Sequence, residues 1–112
     1  TGNLPYGLQR RVEIARAIAT RPKLLLLDEP SAGLNPSETD ELQKVLQDIH
    51  RSQGLTIFLV EHDMKLIMNI CQKIQVIDQG RMLAYGPPDE VRRNSQVIEA
   101  YLGKSAGEKP HA

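Results

Sequence analysis

The sequence predicts an α/β fold with parallel strands, crossover helices and a C-terminal β-hairpin, and three observations lead to this prediction. The apolar runs at 24–27 and 55–60 are typical of strands buried on both faces, as in a parallel sheet. A stretch with helical periodicity at 36–51 separates them and is long enough to be a crossover connection. Farther along, the Gln79-Gly80 turn joins two short β-rich runs, which indicates a hairpin.

Length and composition restrict the possible classes of protein. The 112 residues form at most one ordinary domain, and 14 basic against 14 acidic residues give no sign of attraction to nucleic acid or to a membrane surface. No run approaches the roughly 20 apolar residues of a membrane span. The single cysteine, Cys71, permits no internal disulfide and suits a reducing, cytosolic setting. Because the sequence begins at Thr1 rather than at Met, we expect it to be the later part of something longer.

The first half of the chain predicts helix, strand and helix in that order. A loop with Pro5 in its last part runs into a helix at 8–19, which is rich in strong helix formers. The strand at 24–28 follows, and a turn-rich loop then leads to the helix at 36–51. Asn35 or Ser37 is expected to cap that helix, with Glu38 in its first turn.

The second half predicts a strand, a helix, a hairpin and two short helices. The strand at 55–60 is followed by a helix that Asp63 or a nearby residue caps, and its core candidates are apolar residues, namely Met64, Leu66, Ile67 and Ile70. The hairpin pairs 73–78 with 81–85. One short helix then begins near position 86, and another, capped by Ser95, runs to about 102. Residues 1–103 are expected to form one folded portion, and the tail at 104–112 is expected to be disordered.

The most informative residues are the two acids at the end of the first strand. Two ionised carboxylates beside a buried strand are costly unless they meet a cation or a polar ligand. Asp28 could therefore hold magnesium, and Glu29 could polarise an attacking water. His62 follows the second strand and could donate a hydrogen bond to a phosphate, or orient a water, at the same edge of the sheet. The alternatives are ordinary solvated acids and a capping or solvated histidine.

Four motifs in order resemble those of ABC-transporter ATPases. The run from Leu24 to Pro30 is similar to the Walker B strand, Ser31 to Asn35 resembles the D-loop, and His62 resembles the switch histidine. The signature motif of the family corresponds in position to Leu4-Pro5-Tyr6-Gly7-Leu8-Gln9. The pair Tyr6-Gly7, the run Glu61-His62-Asp63-Met64 and the ending at 97–103 look most like the ATPase subunits of branched-chain amino-acid importers.

The resemblance implies a partial P-loop-NTPase-like sheet and a nucleotide site that uses ATP and Mg²⁺. By this resemblance, Asp28 organises the metal, Glu29 activates the hydrolytic water and His62 contacts the γ-phosphate. The cofactor-binding residues that it implies are Tyr6, Gly7, Gln9, Asp28, Ser31, Gly33 and Asn35. It also implies a second ATPase subunit and transmembrane permease subunits as partners, no nucleic acid, and a cytoplasmic position on the inner face of the membrane.

Two departures from the family pattern bear on activity. Pro5 replaces a usual serine and supplies neither a hydroxyl nor a backbone N–H, and Leu8 replaces a usual glutamine. The phosphate-binding loop is not among these residues, since Gly103-Lys104-Ser105 has Ile98 where G-x-x-x-x-G-K-[ST] needs glycine; we expect the loop to precede Thr1.

Three hypotheses follow from these features. The preferred one is part of the ATPase subunit of an ABC importer, inactive alone. The alternative is a non-catalytic interaction module that dimerises or docks on a permease, and Pro5 favours it somewhat. A third is an ABC-type ATPase with a task outside transport, and the ending at 97–103 argues against it.

Overall fold

The computed structural model describes residues 5–108, with side chains for 5–101, and its chain divides into two compact units after Ile70. Within the described residues no helix is both long and apolar enough to cross a bilayer. The elements in chain order are α1 (Tyr6–Ala19), β1 (Leu24–Asp28), α2 (Pro36–Gln53), β2 (Thr56–Val60), α3 (Met64–Ile70), β3 (Ile74–Asp78), β4 (Arg81–Gly86), α4 (Pro88–Arg93) and α5 (Ser95–Glu108).

The first unit is built on the parallel pair β1 and β2, with α2 as the crossover between them, as the sequence predicts. The register pairs Leu24 with Thr56 and Asp28 with Val60, so the carboxyl ends of both strands lie at one edge. The core combines α1, α2 and the buried face of this pair, and its fully buried members are Ile14, Leu25, Leu42, Leu46 and Leu55.

The prediction that these strands are buried on both faces is wrong for the described residues. Burial alternates along β1, where Leu25 is buried while Leu24 and Leu26 are 50% and 66% exposed. The same alternation leaves Phe58 and Val60 of β2 exposed by 59% and 50%. The reason is geometric: successive strand side chains point to opposite faces, and α1 and α2 cover only one of them.

The ends of the helices in the first unit follow local sequence signals. Asn35, rather than Ser37, caps α2: its Oδ1 accepts from Glu38 N at 2.8 Å, and Glu38 Oε1 accepts from Asn35 N at 3.0 Å. This reciprocal pair is a capping box. Gly54 ends the helix in the left-handed conformation, with φ of 62°. At α3, Asp63 Oδ1 accepts from Leu66 N at 3.1 Å, which confirms the predicted cap.

The second unit is an antiparallel hairpin, β3 and β4, followed by two helices that pack on β4. Its buried apolar residues are Ile74, Val91 and Val97. Asn94, not Ser95, caps α5, since its Oδ1 accepts from the backbone N–H groups of Gln96 and Val97. The asparagine stands one residue outside the helix, where a side-chain acceptor reaches the second and third N–H groups.

The predicted disordered tail at 104–112 is wrong over its first residues. The backbone of α5 continues to Glu108, because Gly103 and Gly107 weaken a helix by only about 1 kcal/mol each without ending it. The rest of that predicted tail, 109–112, lies outside the described residues.

The capping box of α2 gives a stability prediction. We expect Asn35→Ala to lower the free energy of unfolding by about 1 kcal/mol, because it removes the acceptor for Glu38 N. Ser37→Ala, at an exposed position two residues later, is the matched control and should change it by less than about 0.5 kcal/mol. Urea unfolding of the native polypeptide measures both, and equal effects would contradict the assignment of Asn35 as the cap.

Candidate functional site

The edge where β1 and β2 end brings together the acids and the histidine singled out from the sequence. Parallel pairing continues one residue past β1, where Glu29 N–H donates to Val60 O at 2.7 Å. Asp28 and Glu29 therefore lie directly beside the chain that leads from Val60 into His62. The sequence predicts this meeting, because carboxyl ends of parallel strands share an edge of the sheet.

Glu29 has an unusual backbone conformation for a residue with a side chain. Its φ is 46°, in the left-handed region, and the turn that it begins is closed by Ala32 N–H donating to Glu29 O at 3.0 Å. A non-glycine residue pays of order 1 kcal/mol or more for this conformation and keeps it only where its surroundings hold it there. The turn redirects the chain after Asp28, so that the Glu29 side chain reaches toward His62.

Glu29 and His62 form a hydrogen bond, with 3.1 Å between His62 Nδ1 and Glu29 Oε1. A carboxylate can only accept, so the proton of this bond belongs to Nδ1. In a neutral imidazole that assignment leaves Nε2 as an acceptor, and in a protonated one both nitrogens donate. The imidazole is 76% exposed and the glutamate side chain 51%, so both groups are open to a ligand.

Asp28 offers an exposed carboxylate at the end of β1, on the same face as Leu24 and Leu26. A carboxylate is a hard oxygen donor that suits magnesium. Among the described residues, no three histidine, cysteine or acidic side chains are grouped as a metal site. Magnesium usually rests on one or two carboxylates together with waters and substrate phosphates, and Asp28 fits that smaller requirement.

Glu61 is a site residue that the sequence analysis did not select. Its side chain has no exposed surface, and its Oε2 accepts from Ser31 N at 2.9 Å and from Ser31 Oγ at 2.6 Å. Its Oε1 accepts from His62 N at 3.1 Å and from Asp63 N at 3.4 Å. The alternation of β2 could have identified it, because position 61 is in phase with the half-buried Ile57 and Leu59.

These contacts control the ionisation of Glu61. Desolvation by burial, the largest single influence, would raise the pKa of the carboxyl. The hydrogen bonds from Ser31, His62 and Asp63 act in the opposite direction and together lower the pKa of Glu61 below its ordinary value of 4.5. Glu61 is therefore a buried carboxylate that is stabilised by N–H and O–H donors.

The predicted D-loop, 31–35, leaves this edge and leads into α2. Ser31 at its start is buried, and Leu34 N–H donates to Ser31 O at 3.0 Å. Gly33 has φ of 80°, a left-handed conformation that glycine adopts without steric cost. Asn35 at the end of the loop is occupied by the capping box of α2.

The predicted signature residues form a second group, at the start of α1. Gly7 N–H donates to Glu38 Oε2 at 3.2 Å, and a Cβ on this glycine would lie 2.8 Å from that oxygen, so any larger residue would force the Glu38 side chain to shift. Glu38 thus joins the start of α1 to the cap of α2. Tyr6 is 64% exposed, and Gln9 is half-buried with its N–H donating to Pro5 O.

Comparisons with known proteins identify the family. A family model described as "ABC transporter" matches residues 1–32, and one described as "Branched-chain amino acid ATP-binding cassette transporter" matches residues 81–107. The chain is 53% identical over 103 residues to the "High-affinity branched-chain amino acid transport ATP-binding protein LivG" of Salmonella typhimurium, which covers 92% of this chain. The chain belongs to the ABC transporter ATP-binding family.

Two further ABC proteins agree with this assignment. The chain is 53% identical over 104 residues to the "High-affinity branched-chain amino acid transport ATP-binding protein BraF" of Pseudomonas aeruginosa, covering 93% of this chain and 41% of BraF. Among solved structures, cbiO1 of Clostridium perfringens, part of the ABC transporter complex cbiONQ, has 31% identity and a TM-score of 0.76, covering 98% of this chain and 43% of that one. The predicted partial ABC ATPase fold is thereby confirmed, and the chain spans about 40% of the length of LivG.

The buried Glu61 gives this ABC chain a defined acid sensitivity. Because its pKa is lower in the folded state, its stabilising contribution is fully present well above pH 4.5 and is lost as the pH falls below that value. We expect Glu61→Gln to lower the free energy of unfolding most at neutral pH, and the difference from the unmodified protein to shrink below pH 4.5. Urea unfolding across this pH range is the measurement.

The control for this prediction is Glu99→Gln, at an exposed position on α5. It replaces the same side chain by the same amide at an exposed position, so its effect should be small at every pH. A destabilisation by Glu61→Gln that stays constant down to pH 3 would contradict the ionised state assigned to Glu61.

Proposed function

We propose that these residues belong to the ATP-hydrolysing subunit of an ABC importer for branched-chain amino acids, with residues 1–103 as the C-terminal portion of its nucleotide-binding domain. The observation that carries the proposal is the hydrogen bond between Glu29 Oε1 and His62 Nδ1, beside the exposed carboxylate of Asp28. A base, a phosphate ligand and a magnesium ligand at one sheet edge are the groups that phosphoryl transfer to water requires. The names of LivG and BraF support the substrate class.

Each residue of the edge has a separate task in the proposed reaction. Asp28 holds Mg²⁺ directly or through water, and the bound ion supplies positive charge to the phosphate oxygens. Glu29 Oε1 accepts from His62, so Oε2 is the oxygen that takes the proton of the attacking water. His62, with Nδ1 held by Glu29, directs Nε2 at the γ-phosphate and donates to it when protonated.

The remaining predicted residues act in a head-to-tail pair of subunits. In this proposal Tyr6, Gly7 and Gln9 at the start of α1 close on the nucleotide held by the other subunit, which is either a second copy or a related chain. The D-loop residues Ser31, Gly33 and Asn35 connect the two nucleotide sites across the dimer. Transmembrane permease subunits bind the pair, which places it on the cytoplasmic side of the membrane; no nucleic acid takes part.

The 112 residues by themselves are proposed to be inactive. They contain no G-x-x-x-x-G-K-[ST] sequence, and without such a loop Asp28 and Glu29 have no cradle of backbone N–H groups for the phosphates. The alternative proposal is a non-catalytic module that dimerises or docks on a permease. Pro5 favours it, since this residue stands at the N-cap of α1 without a side-chain hydrogen bond and without an N–H to offer a phosphate.

Substitution of the proposed base separates the two proposals. In the native polypeptide that carries these residues, Glu29→Gln should lower kcat for ATP hydrolysis by about 10²- to 10⁴-fold, because the amide cannot accept the proton of water. ATP binding should persist, since Asp28 and the signature residues are unchanged. Phosphate release and nucleotide-binding assays measure the two effects, and Glu99→Gln is the matched control with unchanged activity. Measurable hydrolysis that is indifferent to Glu29→Gln would contradict the assignment of the base.

The substrate class is tested in the source cells. Replacing the native gene by its Glu29→Gln version should abolish high-affinity uptake of radiolabelled leucine, isoleucine and valine, since hydrolysis drives the import cycle. Uptake of lysine and proline, which lack an aliphatic branched side chain, should be unchanged. Loss of uptake of a chemically different solute, with leucine uptake intact, would keep the ATPase assignment and overturn the substrate class.

A further inference from the structure

We propose that Glu61 is a positioning residue for the Glu29–His62 pair, which it orients by fastening the loop after β1 to the loop after β2 through Ser31. The inference rests on the proposed function, because the pair has a reaction to perform only in an ATPase. In this proposal Glu61 contacts neither the phosphate nor the attacking water, and it determines the positions of the Glu29 and His62 side chains. Three features of the structure support it.

The first feature is that Glu29 is held on both sides. Before it, its own N–H donates to Val60 O at 2.7 Å; after it, Ser31 N–H donates to Glu61 Oε2 at 2.9 Å. Only Pro30, which is buried, lies between these two anchors. A left-handed glutamate persists where its neighbours are fixed. Release of the Ser31 anchor leaves Glu29 free to return to an ordinary φ and to move its carboxylate away from His62.

The second feature is that one carboxylate organises both loops. Glu61 Oε2 receives the two donors of Ser31, and Oε1 receives the backbone N–H groups of His62 and Asp63. The backbone that carries His62 is thus fixed by the same side chain that fixes the residue two positions after Glu29. In addition, Glu61 Oε1 lies 3.9 Å from His62 Nδ1.

The third feature is that the position requires a carboxylate. Both oxygens face N–H or O–H donors, and a carboxylate presents acceptors only. A glutamine of the same shape would turn an NH₂ group toward either the donors of Ser31 or those of His62 and Asp63. Two donors would then face each other in a side chain with no exposed surface, where unmade hydrogen bonds are costly.

The test is a double-mutant cycle on hydrolysis in the native polypeptide that carries these residues. Glu61→Gln should lower kcat by about tenfold to a hundredfold, a size typical of catalytic groups displaced by about 1 Å. The KM for ATP and the number of ATP-binding sites should stay within twofold of their values in the unsubstituted protein, because no phosphate ligand is removed. Ser31→Ala, which removes only the Oγ–H donor, should have a smaller effect, and the double variant should lose no more than Glu61→Gln alone.

A readout without catalysis accompanies the kinetics. The backbone amides of Ser31 and His62 both donate to the Glu61 carboxylate. Both should exchange with deuterium faster in Glu61→Gln, because the amide side chain can accept from only one of its two ends. The amide of Glu38, held by Asn35, is the internal reference and should keep its exchange rate. Glu99→Gln should change neither the kinetics nor the exchange of these amides.

The outcomes distinguish this inference from the proposed function. Reduced kcat with unchanged KM and unchanged binding sites, together with faster exchange at Ser31 and His62, supports it. Loss of ATP-binding sites in parallel with activity would overturn it, since that marks a merely structural role. Unchanged kcat or unchanged exchange in Glu61→Gln, in a protein where Glu29→Gln abolishes hydrolysis, would overturn it alone. Absence of hydrolysis in the unsubstituted native polypeptide would overturn the proposed function instead, and hydrolysis that survives Glu29→Gln would overturn the assignment of the base. In either case, exchange would still decide whether Glu61 orders the loops.

Discussion

The parallel pairing of β1 with β2 is the constraint on which the rest of the first unit depends. With Asp28 opposite Val60, both strands end at the same edge of the sheet, and Glu29, Ser31, Glu61 and His62 all lie within three residues of that point. A shift of one residue in this register would turn each side chain of the strand to the opposite face. The burial of Leu25 against α1 and α2 prevents this shift. A shifted strand would expose Leu25 and would turn an adjacent residue, which now faces the other side of the sheet, toward the core.

Hydrogen bonds, rather than further packing, convert this shared edge into a defined site. The register brings the two loops together, but it does not specify a left-handed Glu29 or the direction of His62. That information comes from Glu61, whose burial is compensated by donors from Ser31, His62 and Asp63. A buried charge without such donors would be strongly destabilising. The network is therefore needed for stability and for the geometry of the exposed acids at once.

Sequence reasoning predicts most of the fold, since strands, helices and caps leave strong local signals. The capping box at Asn35 and the apolar runs of β1 and β2 are examples. It is wrong on the burial of the second face of the strands, because an apolar run shows what a strand can bury and not what covers it. It ends the last helix too early, because Gly103 and Gly107 weaken a helix by only about 1 kcal/mol each and do not end it.

The candidate site is predictable to the extent that it lies on the strands and becomes less so in the loops. The positions of Asp28, Glu29 and His62 at or after the ends of apolar runs predict that they belong to the site. Glu61 lies on the buried side of β2, and its place in the site depends on Ser31, a partner thirty positions away in sequence. The alternation of buried and exposed side chains along β2 indicates that position 61 faces inward, but only the β1–β2 pairing shows that Ser31 supplies the hydrogen-bond donors. Long-range hydrogen bonds of this kind are specified by the packed strands and not by either segment alone. A change in the β1–β2 register would therefore reach the Glu29–His62 pair in two ways: directly, through the Glu29 N–H that donates to Val60 O, and indirectly, through the contacts of Glu61 with Ser31.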